Sequence, residues 1–213
     1  MQTFKFEELT DPAKEKAREW YIQNTDNYWA EPIIEDAKND GKELGFTIED
    51  ILWSGFYSQG DGASWTGRVH LGTFIDQCIK PDDTDLTKYT ILRELIRDEW
   101  VDEWVDIGRR SFHYVHSGTM EAAGPDSYGE RDESVIRRGI LAGANVRQLY
   151  ESIGGTDFIY NTAVPAVLDA AKDYADEIYK RLEKEYEWYI SDEHIEEMAE
   201  INEWQFDEDG SFL

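Results

Sequence analysis

The stretch Trp53-Ser-Gly-Phe-Tyr-Ser-Gln-Gly-Asp-Gly-Ala-Ser-Trp65-Thr-Gly-Arg-Val-His-Leu71 decides the fold. Two aromatic, β-prone runs flank Gln59-Gly60-Asp61-Gly62, and glycine–aspartate–glycine is strong turn chemistry. The reading is a β-hairpin whose first strand begins in Phe46-Thr-Ile-Glu-Asp-Ile-Leu-Trp53.

Upstream of the hairpin, Thr10 or Asp11 caps a helix with Pro12 in its first turn. Ala13, Ala17, Trp20 and Tyr21 then recur at helical spacing. A second helix is expected from Asp26 to Leu44, stopped near Gly45. Downstream, a helix is predicted over Asp85 to Ile107. It contains the echo Glu99-Trp-Val-Asp-Glu-Trp-Val-Asp106, which on a helix sets Trp100, Trp104, Val101 and Val105 against the carboxylates of Glu99, Asp102, Glu103 and Asp106. Ser111-Phe-His-Tyr-Val-His-Ser117 reads as a third strand. Residues 118–132 are loop-like, and 133–162 read as short helices or irregular structure broken at Gly154-Gly155. A long helix follows Pro165, with Val167, Ala171, Tyr174, Ile178, Leu182 and Tyr186 on one side. Ser191 caps a last short helix that includes Ile195 and Met198, and Trp204 to Leu213 closes as a strand or turn.

These elements predict a helix-rich α+β fold. A small antiparallel sheet, hairpin plus third strand, is covered by the N-terminal helix and by the helix after Pro165. Residues 1–213 read as a single domain with an insertion around 120–162.

Composition narrows the function classes. A hydrophobic fraction of 40% with 14% aromatics can build a core, which excludes a disordered acidic chain. Forty-seven acidic residues against 21 basic ones give a net charge of −26. Such a chain repels nucleic acid and anionic membranes, and attracts basic proteins, divalent cations and the basic clefts of nucleic-acid enzymes. The same acidity also serves solubility alone. The one cysteine, Cys78, has no partner for a disulfide, which suits a reducing cytosol. Met1 to Glu8 has no apolar signal region, and no run approaches the ~18 apolar residues of a membrane span. A cytoplasmic protein without a membrane association is expected.

Phosphate-binding loops, dinucleotide fingerprints, nucleophile elbows and C-x-x-C or H-E-x-x-H pairs are all missing from the sequence. No cofactor and no metal are therefore expected. The hairpin is the candidate ligand site: Ser54, Gln59, Asp61 and Ser64 supply polar atoms, Trp65 and Tyr57 rings to stack, and His116 lies on the expected third strand. Turn geometry alone accounts for the glycines and Asp61 equally well. His113 and His116 are three apart and face opposite sides of a regular strand, so they do not chelate one ion together. His116-Ser-Gly-Thr119 is faintly like half of a two-histidine phosphoesterase, without the second half. The carboxylates are too many to single out an acid–base pair, and enzymatic activity is the lesser expectation.

Ser54-Gly-Phe-Tyr-Ser-Gln-Gly-Asp-Gly-Ala-Ser-Trp65, Tyr186-Glu-Trp-Tyr-Ile-Ser-Asp-Glu-His194 and Glu203-Trp-Gln-Phe-Asp-Glu-Asp-Gly210 together resemble a family of acidic proteins of bacteriophages and phage-derived bacterial DNA. The resemblance implies a phage origin and action inside the bacterial host, and it brings no catalytic residues with it.

Two function classes follow. In the first, the protein is a phage-encoded acidic inhibitor or modulator of a host factor, presenting a DNA-like surface to a nucleic-acid-handling defence enzyme with a basic surface. The helix over 166–189 does not imitate DNA: at ~36 Å a duplex carries ~21 charges, whereas this segment has seven acids and four bases. Residues 191–213 carry nine acids and no lysine or arginine. Asp102, Asp106, Glu196, Glu197, Glu200 and Glu203 are thus the partner-facing candidates. In the second class the hairpin holds a small nucleotide-like ligand or acts on one, which requires Arg68, Arg109, Arg110, Arg137 and Arg138 to gather.

Overall fold

The computed structural model describes residues 2–25, 27–98, 101–111, 113–124 and 145–213. Asp26, Glu99, Trp100, Phe112, Arg137 and Arg138, and the core of the expected insertion, lie outside the described residues. The described elements form an α+β fold. Helices α1 (Asp11–Asn24) and α2 (Ala30–Glu43) precede strands β1 (Phe46–Ser54) and β2 (Gly62–His70). Helices α3 (Leu71–Cys78) and α4 (Leu86–Arg97) lead to β3 (Trp104–Arg109) and β4 (Met120–Ala123). Helices α5 (Asn145–Ser152), α6 (Val164–Tyr189) and α7 (Asp192–Ile201) complete the order.

The hairpin forms as expected. β1 and β2 pair antiparallel from Phe46 opposite Val69 to Ser54 opposite Gly62, with a bulge between Ile48 and Asp50. β3 then pairs with β2, and β4 with β3, giving a four-stranded antiparallel sheet in the order β1-β2-β3-β4.

Two expected elements are corrected. The helix predicted over 85–107 ends at Arg97, and the second half of the tetrad echo enters β3. A four-residue repeat returns to the same face on a strand as well as on a helix, so the echo fits either period. Val105 and Ile107 are buried while Asp106 between them is exposed, the alternation of a half-buried strand. Asp102 and Asp106 therefore share no helical face. The strand expected over 111–117 is also absent among the described residues there. Ser111 Oγ accepts from the backbone N–H groups of His113 and Tyr114, and His116 Nδ1 accepts from Gly118 N–H. Side chains that capture local backbone donors compete with a ladder. Pairing resumes only at Met120.

The chain divides into two compact units, one of residues 34–179 and one of 1–33 with 180–213. In the unit of 34–179, the sheet buries Phe46, Ile51, Trp65, Val69, Val105 and Ile107. The Trp65 ring lies 5.3 Å from that of Phe46, and its indole N–H donates to the Ala171 carbonyl of α6 at 3.0 Å. Tyr174 of α6 packs edge-on to Phe46 and donates its hydroxyl to the Ala37 carbonyl of α2 at 2.7 Å. An indole of ~200 Å² taken from water contributes about 5 kcal/mol of transfer free energy, and both buried polar tips are satisfied.

In the other unit the small residues Ala13 and Ala17 let α1 approach α7. Phe6, Leu9, Tyr21, Ile195, Ala199 and Phe206 complete the core there. The C-terminal residues close as a turn: Phe206 bridges Phe4 on one side and Phe212 on the other. Trp20 stacks on Phe212 at 4.1 Å and meets Trp204 edge-on at 5.2 Å. Within this unit α1 packs on α7 and on the C-terminal turn. No helix among the described residues is long and apolar enough to cross a membrane.

Candidate functional site

The hairpin loop is organised by one carboxylate. Asp61 Oδ2 accepts from the backbone N–H groups of Tyr57 at 3.0 Å and Ser58 at 2.6 Å, and Oδ1 accepts from the Ser54 hydroxyl at 3.3 Å. Gly60, at φ +98°, lies against one edge of the Tyr114 ring, and a Cβ on Gly62 would fall 2.5 Å from Cβ of His116. The structure therefore gathers Ser54, Asp61 and His116 about the loop. Gln59 is exposed at its tip. Ser64 is buried with its hydroxyl unpartnered, and Trp65 is a core residue with no face open to a ligand. Asp61 spends its lone pairs on the loop backbone, which is the turn's own chemistry.

Of the five arginines that the ligand reading needs, three lie among the described residues. Arg68 pairs with Asp106 at 3.2 Å and Arg110 with Glu121 at 3.2 Å, both exposed. Arg109 follows Val105 and Ile107 on the core-facing side of β3 by strand alternation, and its Nε and Nη1 are buried without an acceptor among the described residues. Among the described residues no group of three or more His, Cys, Asp or Glu is arranged to hold a metal ion.

The acidic candidates fall in different units: Asp102 and Asp106 in that of 34–179, and Glu196, Glu197, Glu200 and Glu203 in the other. Asp102 accepts from Trp104 N–H and Asp106 is paired, so neither is a bare charge. Within the C-terminal acids there is a second sorting. Asp192 pairs with Arg18. Asp207 accepts from the N–H groups of Asp209 and Ser211, and Asp209 from Lys16 at 2.8 Å. Lys16 and the neighbouring hydrogen bonds hold the Asp209 carboxyl well below the usual carboxylate range. Asp192 thus ties α7 to α1, and Asp207 and Asp209 organise the turn. Of the other six, Glu203 and Glu208 follow the helix, and Glu193, Glu196, Glu197 and Glu200 lie on it, all exposed, at the i, i+3, i+4, i+7 spacing of one helical face. That spacing was readable in the sequence and adds Glu193 to the candidates.

α7 is held firmly beneath this face. Ser191 Oγ accepts from His194 N–H at 3.3 Å as an N-cap. The buried His194 ring lies 4.1 Å from that of Trp188, and its Nε2 is 3.1 Å from the Tyr21 hydroxyl. Burial pushes the His194 pKa below its ordinary value, with Glu197 and Glu185 acting the other way. The helix ends in a Schellman motif: Trp204 N–H donates to the Ala199 carbonyl and Glu203 N–H to that of Glu200. The C′ position, usually glycine, is Glu203 at φ +55°.

Beside this terminus lies a cavity of about 350 Å³. Phe6 and Ala199, both buried, and the half-buried Trp204 form its apolar wall, and the exposed Glu196, Glu200 and Glu203 stand at its edge. Lys5 and Glu7 also line it, 4.0 Å apart. The contribution of residues 5–7 was not read from sequence. The only signal was the Phe4/Phe6 alternation, matched by Trp204/Phe206 at the other end of the chain.

A family model described as Domain of unknown function (DUF8835) matches residues 29–192. No curated protein and no solved structure matches the chain.

Proposed function

The chain belongs to the DUF8835 family, whose model matches residues 29–192, and on the strength of the helix that follows we propose that it is an acidic binding protein whose α7 face engages the basic surface of a partner protein. The observation that carries this reading is the set of four exposed carboxylates on one face of a short, well-anchored helix. No lysine or arginine occurs from residue 191 to the end, and the nearby Arg18 and Lys16 pair with Asp192 and Asp209 rather than with these four. Fixed charges of one sign steer a basic partner and speed association.

Magnitude sets the kind of mimicry. A helix of ten residues is ~15 Å long, and a duplex of that length carries ~9 phosphate charges. Four carboxylates, five with Glu203, supply about half that density. The face competes for a basic cleft rather than reproducing a duplex. A nucleic-acid-handling enzyme of a bacterial host is the partner class this fits, in keeping with the phage resemblance of the sequence. The hairpin, with Asp61 committed to its own loop, offers less to a ligand.

The test is capture of partners from bacterial lysate on the tagged chain, followed by association kinetics of the strongest basic partner. Wild type is expected to associate more slowly as salt rises, because exposed charges are screened beyond ~8 Å at physiological ionic strength. Changing Glu196, Glu197, Glu200 and Glu203 together to Gln is expected to slow association severalfold with little change in melting temperature. A rate indifferent to salt and to these changes rules out the reading.

A further inference from the structure

Four exposed carboxylates alone describe a solvated face; the adjoining cavity asks for something more specific. Its volume of about 350 Å³ is at the lower end of the roughly 300–1,000 Å³ of small-ligand pockets, room for one side chain rather than a large molecule. Its wall is apolar and aromatic, and its edge is anionic. An occupant must therefore have an apolar stem and a cationic head.

We propose that this cavity seats a single arginine side chain projecting from the partner's basic surface, a reading that rests on the acidic-face function above. The arginine stem lies along the half-buried Trp204, over a floor backed by the buried Phe6 and Ala199, as long cationic side chains commonly cover apolar surface. The guanidinium meets Glu196, Glu200 and Glu203. Arginine is favoured over lysine because its planar fork bonds carboxylates bidentately and its face stacks on indole, here Trp204. The resident cation, Lys5, does not fill the role. Its ammonium is 4.0 Å from Glu7, with both side chains more than half exposed. Such a pair holds weakly, so an incoming guanidinium displaces it.

The test uses the isotopically labelled full chain, titrated by NMR with acetyl-Gly-Arg-Gly-amide and with the same peptide carrying citrulline. The arginine peptide is expected to shift the Trp204 indole N–H and the amides of 199–205, and citrulline is expected to shift neither. Glu200→Gln with Glu203→Gly should weaken arginine binding at least tenfold. Glu193→Gln with Glu197→Gln, on the outer part of the same helix, should change it less than twofold. Lys5→Gln should strengthen it two- to threefold, a gain that misfolding cannot produce. Equal binding of citrulline, no shift at Trp204, or equal weakening by the two glutamate pairs each overturns the arginine seat. None of these outcomes touches the salt dependence of partner association, so the cavity can fail while the acidic face stands.

Discussion

Gly210 lies so close to α1 that a Cβ placed on it would sit 2.0 Å from the carbonyl oxygen of Ala13. The obstacle is helix backbone, which cannot rotate aside, and Gly210 is at φ +88° besides. Gly210→Ala is expected to cost more than about 3 kcal/mol and to release the C-terminal turn. Gly60, at φ +98°, meets only the edge of the Tyr114 ring, and Gly60→Ala should cost about 1 kcal/mol. Urea unfolding of the two variants side by side measures the contrast; comparable losses would refute the backbone-contact argument.

The Asp61 carboxylate predicts a structural phenotype. Removing it strands the amides of Tyr57 and Ser58, so Asp61→Ala should destabilise by about 1–2 kcal/mol. Asp61→Asn keeps an acceptor and should lose less. Faster amide exchange at residues 57–58 in the alanine variant locates the effect; unchanged exchange would mean that the carboxylate does not organise the loop.

The parts of this fold that were readable in sequence are the locally encoded ones. Gly60-Asp61-Gly62 specifies its turn within a few residues, Thr10-Asp11-Pro12 opens α1, and Ser191 caps α7. β3 was hidden because a tetrad repeat is compatible with both periods and only the burial of Val105 and Ile107 against a sheet decides between them. The 111–117 strand was misplaced because its aromatic pattern outweighed two side chains, Ser111 and His116, that take backbone donors for themselves. Of the candidate site, the helical face was legible and the cavity was not, since Phe6 and Trp204 come from opposite ends of the chain and only tertiary packing brings them together.

His194 makes the stability of its unit depend on pH. Burial lowers its pKa from the ordinary 6.5, so near that pH the unfolded chain binds a proton that the folded chain refuses. Stability is therefore complete above about pH 6.5 and falls as the pH drops from there toward the folded pKa. The urea midpoint should decline between about pH 7.5 and 5.5, a window above the carboxylate range. In His194→Phe, which keeps a ring between Trp188 and Tyr21, that slope should flatten. A wild-type midpoint that does not change across the window would refute the assignment.

Glu203 is the remaining lever, because its backbone and its charge make opposite demands. At φ +55° a residue with a Cβ is disfavoured by about 1–2 kcal/mol, whereas glycine is at ease. The Schellman bonds from Glu203 and Trp204 to α7 need only the backbone, so Glu203→Gly preserves them and relieves the strain. Part of that gain is offset by the extra freedom of glycine in the unfolded chain, leaving a net stabilisation of about 0.5–1 kcal/mol. Glu203→Gln separates the two demands: it removes the charge beside Glu200 while keeping the strained backbone, and should recover only a few tenths of a kcal/mol. Thermal unfolding of the two variants is the measurement, with glycine expected to melt highest and wild type lowest. If both melt alike, charge repulsion rather than backbone strain is what Glu203 costs. Under either result the glycine variant should bind a basic partner more weakly, which would mean that the carboxylate is kept at the expense of stability.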